Sequence, residues 1–281
     1  MPSRLSAFFL LLGRAANELR HFARLPRARQ VPAGVLAFTC NLCGRAGALD
    51  LGRLQREERT CLGCGSTLRQ RALLAALSRK LFHGRVLPVA EWRGVEHTNV
   101  IGISDGELMA EVLAGKLSYR NTFLHRPPVL DLCAPAECYN EACDVAICSD
   151  VLEHVRPPVE DALAGLRRIV RPGGFALITV PCLAARSSVE HFPDLHDYRI
   201  VEHDGVRTLV NRTPDGRVQE FRDLVFHGGP GETLEMRQFG LADLERRLRN
   251  AGFDRVEIHA QPAFNHGVYW CAPYAVPIVA S

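Results

Sequence analysis

Two apolar segments joined by a helical one constrain this chain more than anything else in it. The first runs Cys143-Asp144-Val145-Ala146-Ile147-Cys148-Ser149-Asp150-Val151-Leu152-Glu153-His154-Val155, and the second runs Arg171-Pro172-Gly173-Gly174-Phe175-Ala176-Leu177-Ile178-Thr179-Val180-Pro181. Asp144 to Cys148 reads as a short buried strand that ends at a polar turn. Between the segments Val159, Leu163, Leu166, Ile169 and Val170 recur at three- and four-residue spacing, which predicts a helix. A Pro-Gly-Gly turn then leads into a second apolar strand. Strand, helix, glycine turn and strand make a βαβ unit, the element of a parallel sheet.

The wording of these segments resembles the class I S-adenosylmethionine-dependent methyltransferases, in which the Val-Leu-Glu-His-Val run leaves the fourth strand and Arg-Pro-Gly-Gly opens the fifth. The resemblance covers roughly residues 98–260. It implies an α/β fold, a Rossmann-like seven-stranded methyltransferase sheet, and an enzyme that uses S-adenosylmethionine. Asn99–Ile103 takes the place of the first strand, with Ser104-Asp105-Gly106 as its loop and Glu107–Leu113 as the first helix. Tyr119–Leu124 and Pro128–Leu132 fit the second and third strands, and the helix Leu241–Ala251, Gly252 and the strand Phe253–Ile258 fit the end of the fold.

The resemblance also nominates cofactor residues. In the family the glycine loop lets backbone approach the methionine part of the cofactor. Here Gly102 and Gly106 remain, and Ser104 or Asp105 either contacts the cofactor or caps the following helix. The family's acidic ribose ligand at the end of the second strand has no counterpart, and Asn121 is the nearest polar side chain. Asp131 either accepts from the adenine amino group or forms a strand-end turn. Ser149 lies on the exit of the fourth strand, where ligands of open α/β sheets bind. His154 reads either as a general base or as a residue that positions the loop.

Cys40-x-x-Cys43 and Cys61-x-x-Cys64 form two pairs 17 residues apart, each followed by a glycine, Gly44 and Gly65. That spacing suits a four-cysteine structural zinc site; two disulfides or free thiols are the alternatives. The other cysteines, at 133, 138, 143, 148, 182 and 271, read as small core residues. Nothing marks the chain as exported, so a reducing, cytoplasmic setting is expected.

These features divide the chain into a basic amphipathic arm (1–30), a zinc ribbon (31–68), a connecting helix and linker (69–97) and a methyltransferase-like domain (98–281). Residues 1–30 hold six Arg and one Glu, so the basic excess of a chain with net charge +3 sits there. The arm's apolar run, Leu5 to Leu12, is too short to span a bilayer. The arm packs, stays disordered, or lies on a membrane surface as a peripheral contact.

A polar stretch, 183–237, interrupts the α/β alternation. In the family the region after the fifth strand builds the acceptor pocket, which nominates His191, His196, His227, Glu235 and Arg237, with His227 as a catalytic candidate; the alternative is an ordinary surface loop. His196-Asp197 with His227 matches no standard metal spacing. These polar groups favour a small polar or saccharide-type acceptor. Nucleic acid is the rival partner, gripped by Arg45, Arg53, Arg56, Arg59, Arg69 and Arg71 of the ribbon, and a non-catalytic scaffold is the third reading.

Overall fold

The structure is a computed structural model, and it describes residues 34–51, 57–183, 187–227, 233–270 and 276–281. The N-terminal arm lies outside the described residues. Strands β1 (Val35–Thr39) and β2 (Ala46–Asp50) form an antiparallel hairpin around the first cysteine pair. The second pair leads into helix α1 (Leu68–Leu81). Thr67 and Gln70 close a reciprocal capping box at its start, which fixes where the helix begins.

The central sheet follows. Strand β3 (Asn99–Ile103) leads to helix α2 (Glu107–Ala114) and strand β4 (Ser118–Thr122), then to β5 (Cys143–Ser149), helix α3 (Glu160–Ile169) and β6 (Val170–Thr179). An inserted region carries β7 (Cys182–Leu183), β8 (Val189–Glu190), β9 (Asp197–His203), β10 (Val206–Arg212), β11 (Val218–Phe221), β12 (Phe226–His227), β13 (Thr233–Leu234) and β14 (Arg237–Gly240). Helix α4 (Leu241–Asn250), β15 (Val256–Ile258) and β16 (Ile278–Ala280) complete the chain.

The six strands of the main sheet lie in the order β15-β16-β6-β5-β3-β4. Those from β4 to β6 are mutually parallel, and β16 pairs antiparallel with both β6 and β15. The place expected of a strand at Pro128–Leu132 holds a single parallel bridge between Phe123 and Val129 at the edge beside β4. The predicted Pro-Gly-Gly turn survives inside β6. There the pairing jumps from Cys143↔Val170 to Val145↔Phe175, so a bulge holds Arg171–Gly174.

Alternation along β5 assigns the two faces of the sheet. Ala146 and Cys148 point into a core with Leu163, Leu166 and Ile169 of α3 and Leu244 and Leu248 of α4. Val145 and Ile147 point into a second core, with Leu73, Leu74 and Leu77 of α1 and Leu113 of α2. Each of these fully buried leucines contributes about 1.5–3 kcal/mol through burial. Phe38, Cys40, Leu42, Leu49 and Cys61 belong to the same second core, so the hairpin module is built onto the sheet domain.

Arg71 ties the module down. Its buried guanidinium donates to Ser66 O, Thr60 Oγ1 and Gly267 O, and stacks over the Phe38 ring. Of the remaining cysteines, Cys143, Cys148 and Cys182 are buried as expected, whereas Cys133 and Cys138 lie exposed in the segment before β5. Position 271 lies outside the described residues. No helix among the described residues is long and apolar enough to cross a membrane.

Candidate active site and cysteine cluster

The four cysteine sulfurs gather into one cluster, with ligand atoms all within 4.8 Å of one another. Cys40 Sγ lies 3.8 Å from Cys64 Sγ, and Cys43 Sγ lies 3.6 Å from Cys61 Sγ. A disulfide needs about 2.05 Å, so these are thiols. Four sulfurs about 2.3 Å from a tetrahedral zinc stand about 3.8 Å apart, so the cluster fits that ion. Gly44 and Gly65 both adopt positive φ, +74° and +69°, which turns the backbone N–H groups of each knuckle inward. Burial pushes the Cys40 and Cys43 thiols up, Cys43 to about 12, whereas at Cys61 the backbone N–H groups of Cys64 and Gly63 oppose burial and bring the thiol down to about 6.

At the carboxyl ends of β3, β4 and β5 lie five of the nominated cofactor residues, Gly102, Ser104, Asp105, Asn121 and Ser149. Gly102 is buried in β3, and a Cβ there would stand 2.5 Å from Asp105 Oδ2 and overlap the Tyr119 hydroxyl. Ser104 takes φ +59°, the left-handed conformation that glycine adopts most readily. Neither Ser104 nor Asp105 caps α2; its N-cap is Gly106, with no side-chain hydrogen bond. Asp105 instead accepts from Tyr119 at 2.8 Å. Asn121 clamps the same loop, donating to Asp105 O at 2.8 Å and accepting from Asp105 N at 3.0 Å. Its amide is therefore spent on the loop. Burial pushes the Asp105 carboxyl up to about 7, against the Tyr119 hydrogen bond and the charge of Arg69. Asp131 accepts from Cys133 N at 2.8 Å, so a strand-end turn is present at that position.

Sequence reasoning missed Arg69 as part of this site. Its Nη1 donates to Ser149 Oγ at 2.6 Å, and its Nε lies 3.1 Å from Asp150 Oδ2. On its other side it forms a two-pronged pair with Glu57 at 2.6 and 2.9 Å. Ser149 also bonds Thr179 at 2.7 Å. Asp150 sits at φ +55° directly after β5. A guanidinium, an uncommon left-handed turn and several acceptors thus converge on the strand ends. The capping box that starts α1 at Leu68 carries Arg69 there, which was the available signal. The same placement removes Arg69 and the buried Arg71 from the set of arginines read as phosphate contacts.

A second group lies just beyond β5. His154 Nδ1 bonds Leu234 O at 3.0 Å, so Nδ1 carries the proton and Nε2 the lone pair. Burial pushes its pKa down, with the Leu234 carbonyl opposing, so the ring is neutral. His227 Nε2 lies 2.8 Å from Glu235 Oε2, and His191 Nε2 lies 2.9 Å from Glu235 Oε1. The His154 and His227 rings meet edge to face, with centroids 4.9 Å apart. Met236 N donates to Glu153 O at 2.8 Å, and the buried Arg237 donates to Leu152 O at 2.7 Å while its Nε bonds Glu190. The insert is thus fastened to the turn after β5. His196 is exposed, and its backbone N–H donates to Asn211 at 2.9 Å, so it stands among the β9–β11 strands. Arg237 likewise serves as a tie.

The insert is also not the loop that its polarity suggested. β9, β10 and β11 form a three-stranded antiparallel sheet over a small core of Phe192, Leu209, Leu234 and Met236. Residues 228–232, between β12 and β13, lie outside the described residues.

With this geometry in hand, comparison places the chain. Residues 84–258 match the family model described as a methyltransferase domain, which is more than half of the chain, and the protein belongs to that family. It is an S-adenosylmethionine-dependent methyltransferase of the Rossmann-like class, with the four-cysteine cluster near its N-terminus. Similar solved structures include the 1,6-didemethyltoxoflavin N1-methyltransferase of Burkholderia thailandensis, 17% identical over 75% of this chain and 77% of that one, TM-score 0.38. The CcbJ methyltransferase of Streptomyces caelestis is 15% identical over 76% and 87%, TM-score 0.40. A methyltransferase of Clostridium acetobutylicum is 11% identical over 73% and 95%, TM-score 0.38. No curated protein matches the chain by sequence.

Proposed function

We propose that the enzyme methylates a small, hydroxyl-bearing acceptor of saccharide type. The observation that supports this is a polar row beside the exit of β5: Glu235 is bonded to both His227 and His191, and His154 meets the His227 ring edge to face. S-adenosylmethionine supplies a methyl on a positively charged sulfur, and what the protein must add is alignment of an acceptor with that methyl. Arg69 is suited to the cofactor's carboxylate and Asp131 to its adenine amino group; Gly102, Ser104, Asp105, Asn121 and Ser149 form the floor between them. His154, neutral and with Nε2 free of the Leu234 bond, and His227 then orient the acceptor from the insert side. The thiol cluster is assigned to a structural zinc.

Of the arginines counted toward RNA binding, Arg71 is wholly buried and Arg69 stands at the strand ends of the sheet beside Ser149, which favours the small acceptor. The test pairs calorimetric titration of S-adenosylhomocysteine with single-turnover methyl transfer to nucleotide sugars, polyols and RNA. Transfer to a polyhydroxy acceptor is expected. His227→Ala should lower it while leaving cofactor affinity within about twofold of wild type. Transfer to RNA alone, or equal loss of turnover and cofactor affinity in the variant, overturns the assignment.

A further inference from the structure

We propose that Glu153, His154 and His227 form a second metal site, separate from the cysteine cluster, that holds a divalent zinc-class cation beside the acceptor. Each of the three offers one ligand atom, and those atoms lie within 4.8 Å of one another. His154 Nε2 is 3.8 Å and His227 Nδ1 is 3.9 Å from Glu153 Oε1. These spans are too long for hydrogen bonds. They fall inside the reach of ligands sharing one ion at about 2.0–2.2 Å each.

The second ring nitrogens give independent support. A metal-binding imidazole donates its other N–H to a carbonyl or a carboxylate, which fixes the tautomer and aims the lone pair at the ion. Both arrangements are present. His154 gives Nδ1–H to the Leu234 carbonyl, and His227 gives Nε2–H to the Glu235 carboxylate. The other ring nitrogens, His154 Nε2 and His227 Nδ1, are the two nearest Glu153, and His154 Nε2 has only a long 3.5 Å contact with Thr233 Oγ1 besides. His191 holds the second oxygen of Glu235 and so fixes the orienting carboxylate itself.

The donor set specifies the cation. Two imidazoles and one carboxylate suit zinc or a neighbouring first-row ion, not the all-oxygen shells of calcium or magnesium. Three protein ligands leave a position open, as in catalytic zinc sites. Glu153 is fully buried and His227 is 31% exposed in its side chain, so the open side faces out past His227. There the ion would bind an acceptor oxygen. This rests on the reading of the acceptor as a hydroxyl compound; the site itself does not.

The test is elemental analysis of the full chain, dialysed against free zinc and then against buffer. Two zinc ions per chain are expected in wild type, one for the cysteines and one for this site. His227→Asn and Glu153→Gln should each retain one. His227 is only half-buried, so its variant keeps the test alive if Glu153→Gln fails to fold, as circular dichroism would show. Glu235→Gln should weaken the second zinc by about 10- to 100-fold, the usual loss of an outer partner. One zinc in wild type, or two in both ligand variants, overturns the proposal. Titration with S-adenosylhomocysteine separates the two readings. Cofactor binding with a single zinc removes only the new site. Two zinc ions without transfer to any polyhydroxy acceptor removes only the acceptor.

Discussion

Tyr119 donates its hydroxyl to Asp105 at 2.8 Å across the mouth of β3, and the pair occupies the space that any side chain on Gly102 would need. The strand-end loop is therefore packed by its own residues, and a buried carboxylate is part of that packing.

This has a pH signature. The folded-state pKa of Asp105 lies near 7, above the value of about 3.9 for a free aspartate. Its protonated form is the one that stabilises the fold. That contribution is complete below about pH 4 and is lost as pH rises through 7. Asp105→Asn removes the titration. Wild-type stability is expected to fall relative to the variant between about pH 4 and 7 and to level off above, measured by urea denaturation at several pH values. Parallel curves would refute the assignment.

Gly102→Ala should destabilise the protein by about 1–3 kcal/mol, the usual result of overpacking. The new methyl overlaps the Tyr119 hydroxyl and stands against Asp105. Tyr119→Phe removes the hydroxyl, so the double variant should recover part of the loss. Additive losses would show that the overlap is not the cause.

Arg69→Ala should weaken S-adenosylhomocysteine by about 1–3 kcal/mol, the loss expected of hydrogen bonds to a charged group. Arg69→Lys should recover only part, because an ammonium cannot reproduce the fork now shared among Glu57, Ser149 and Asp150. A rise in affinity in calorimetry would mean that the bridge to Glu57 closes the site.

Cys40→Ser should lower zinc content by one ion per chain and broaden the thermal transition. Metal binding to such a module is folding energy, and Cys40 is buried in the core that also holds Leu77 and Val145. Unchanged zinc content would refute a four-cysteine site.

Much of the fold was readable because its strands and helices carry one period each. The apolar run 144–148 marked β5, and the connecting helix expected after the second cysteine pair is α1. Tertiary context hid the rest. β9 is exposed along most of its length, so it shows no alternation to detect. β16 has three buried residues, too few for any period, yet it joins β6 to β15. Arg69 and Arg71 read as solvated cations because a sequence does not show that a helix start will bury them. Glu153, His154 and His227 escaped as a group because 72 residues, including a three-stranded insert, separate the last two. The cysteines, by contrast, announced themselves through local spacing alone.

Arg71 gives the cysteine module a reach beyond its own fold. The guanidinium touches Thr60 and Ser66 on the second knuckle and Gly267 near the far end of the chain, while Asn41 from the first knuckle donates to the Arg71 carbonyl. The first and last parts of the molecule are thus sewn through one cation that needs both knuckles in place. A polypeptide still emerging from the ribosome can form its knuckles early, but this stitch waits for residue 267. The N-terminal module is thus closed only when the C-terminal part of the chain arrives, and damage to either knuckle would loosen a tie that spans the molecule.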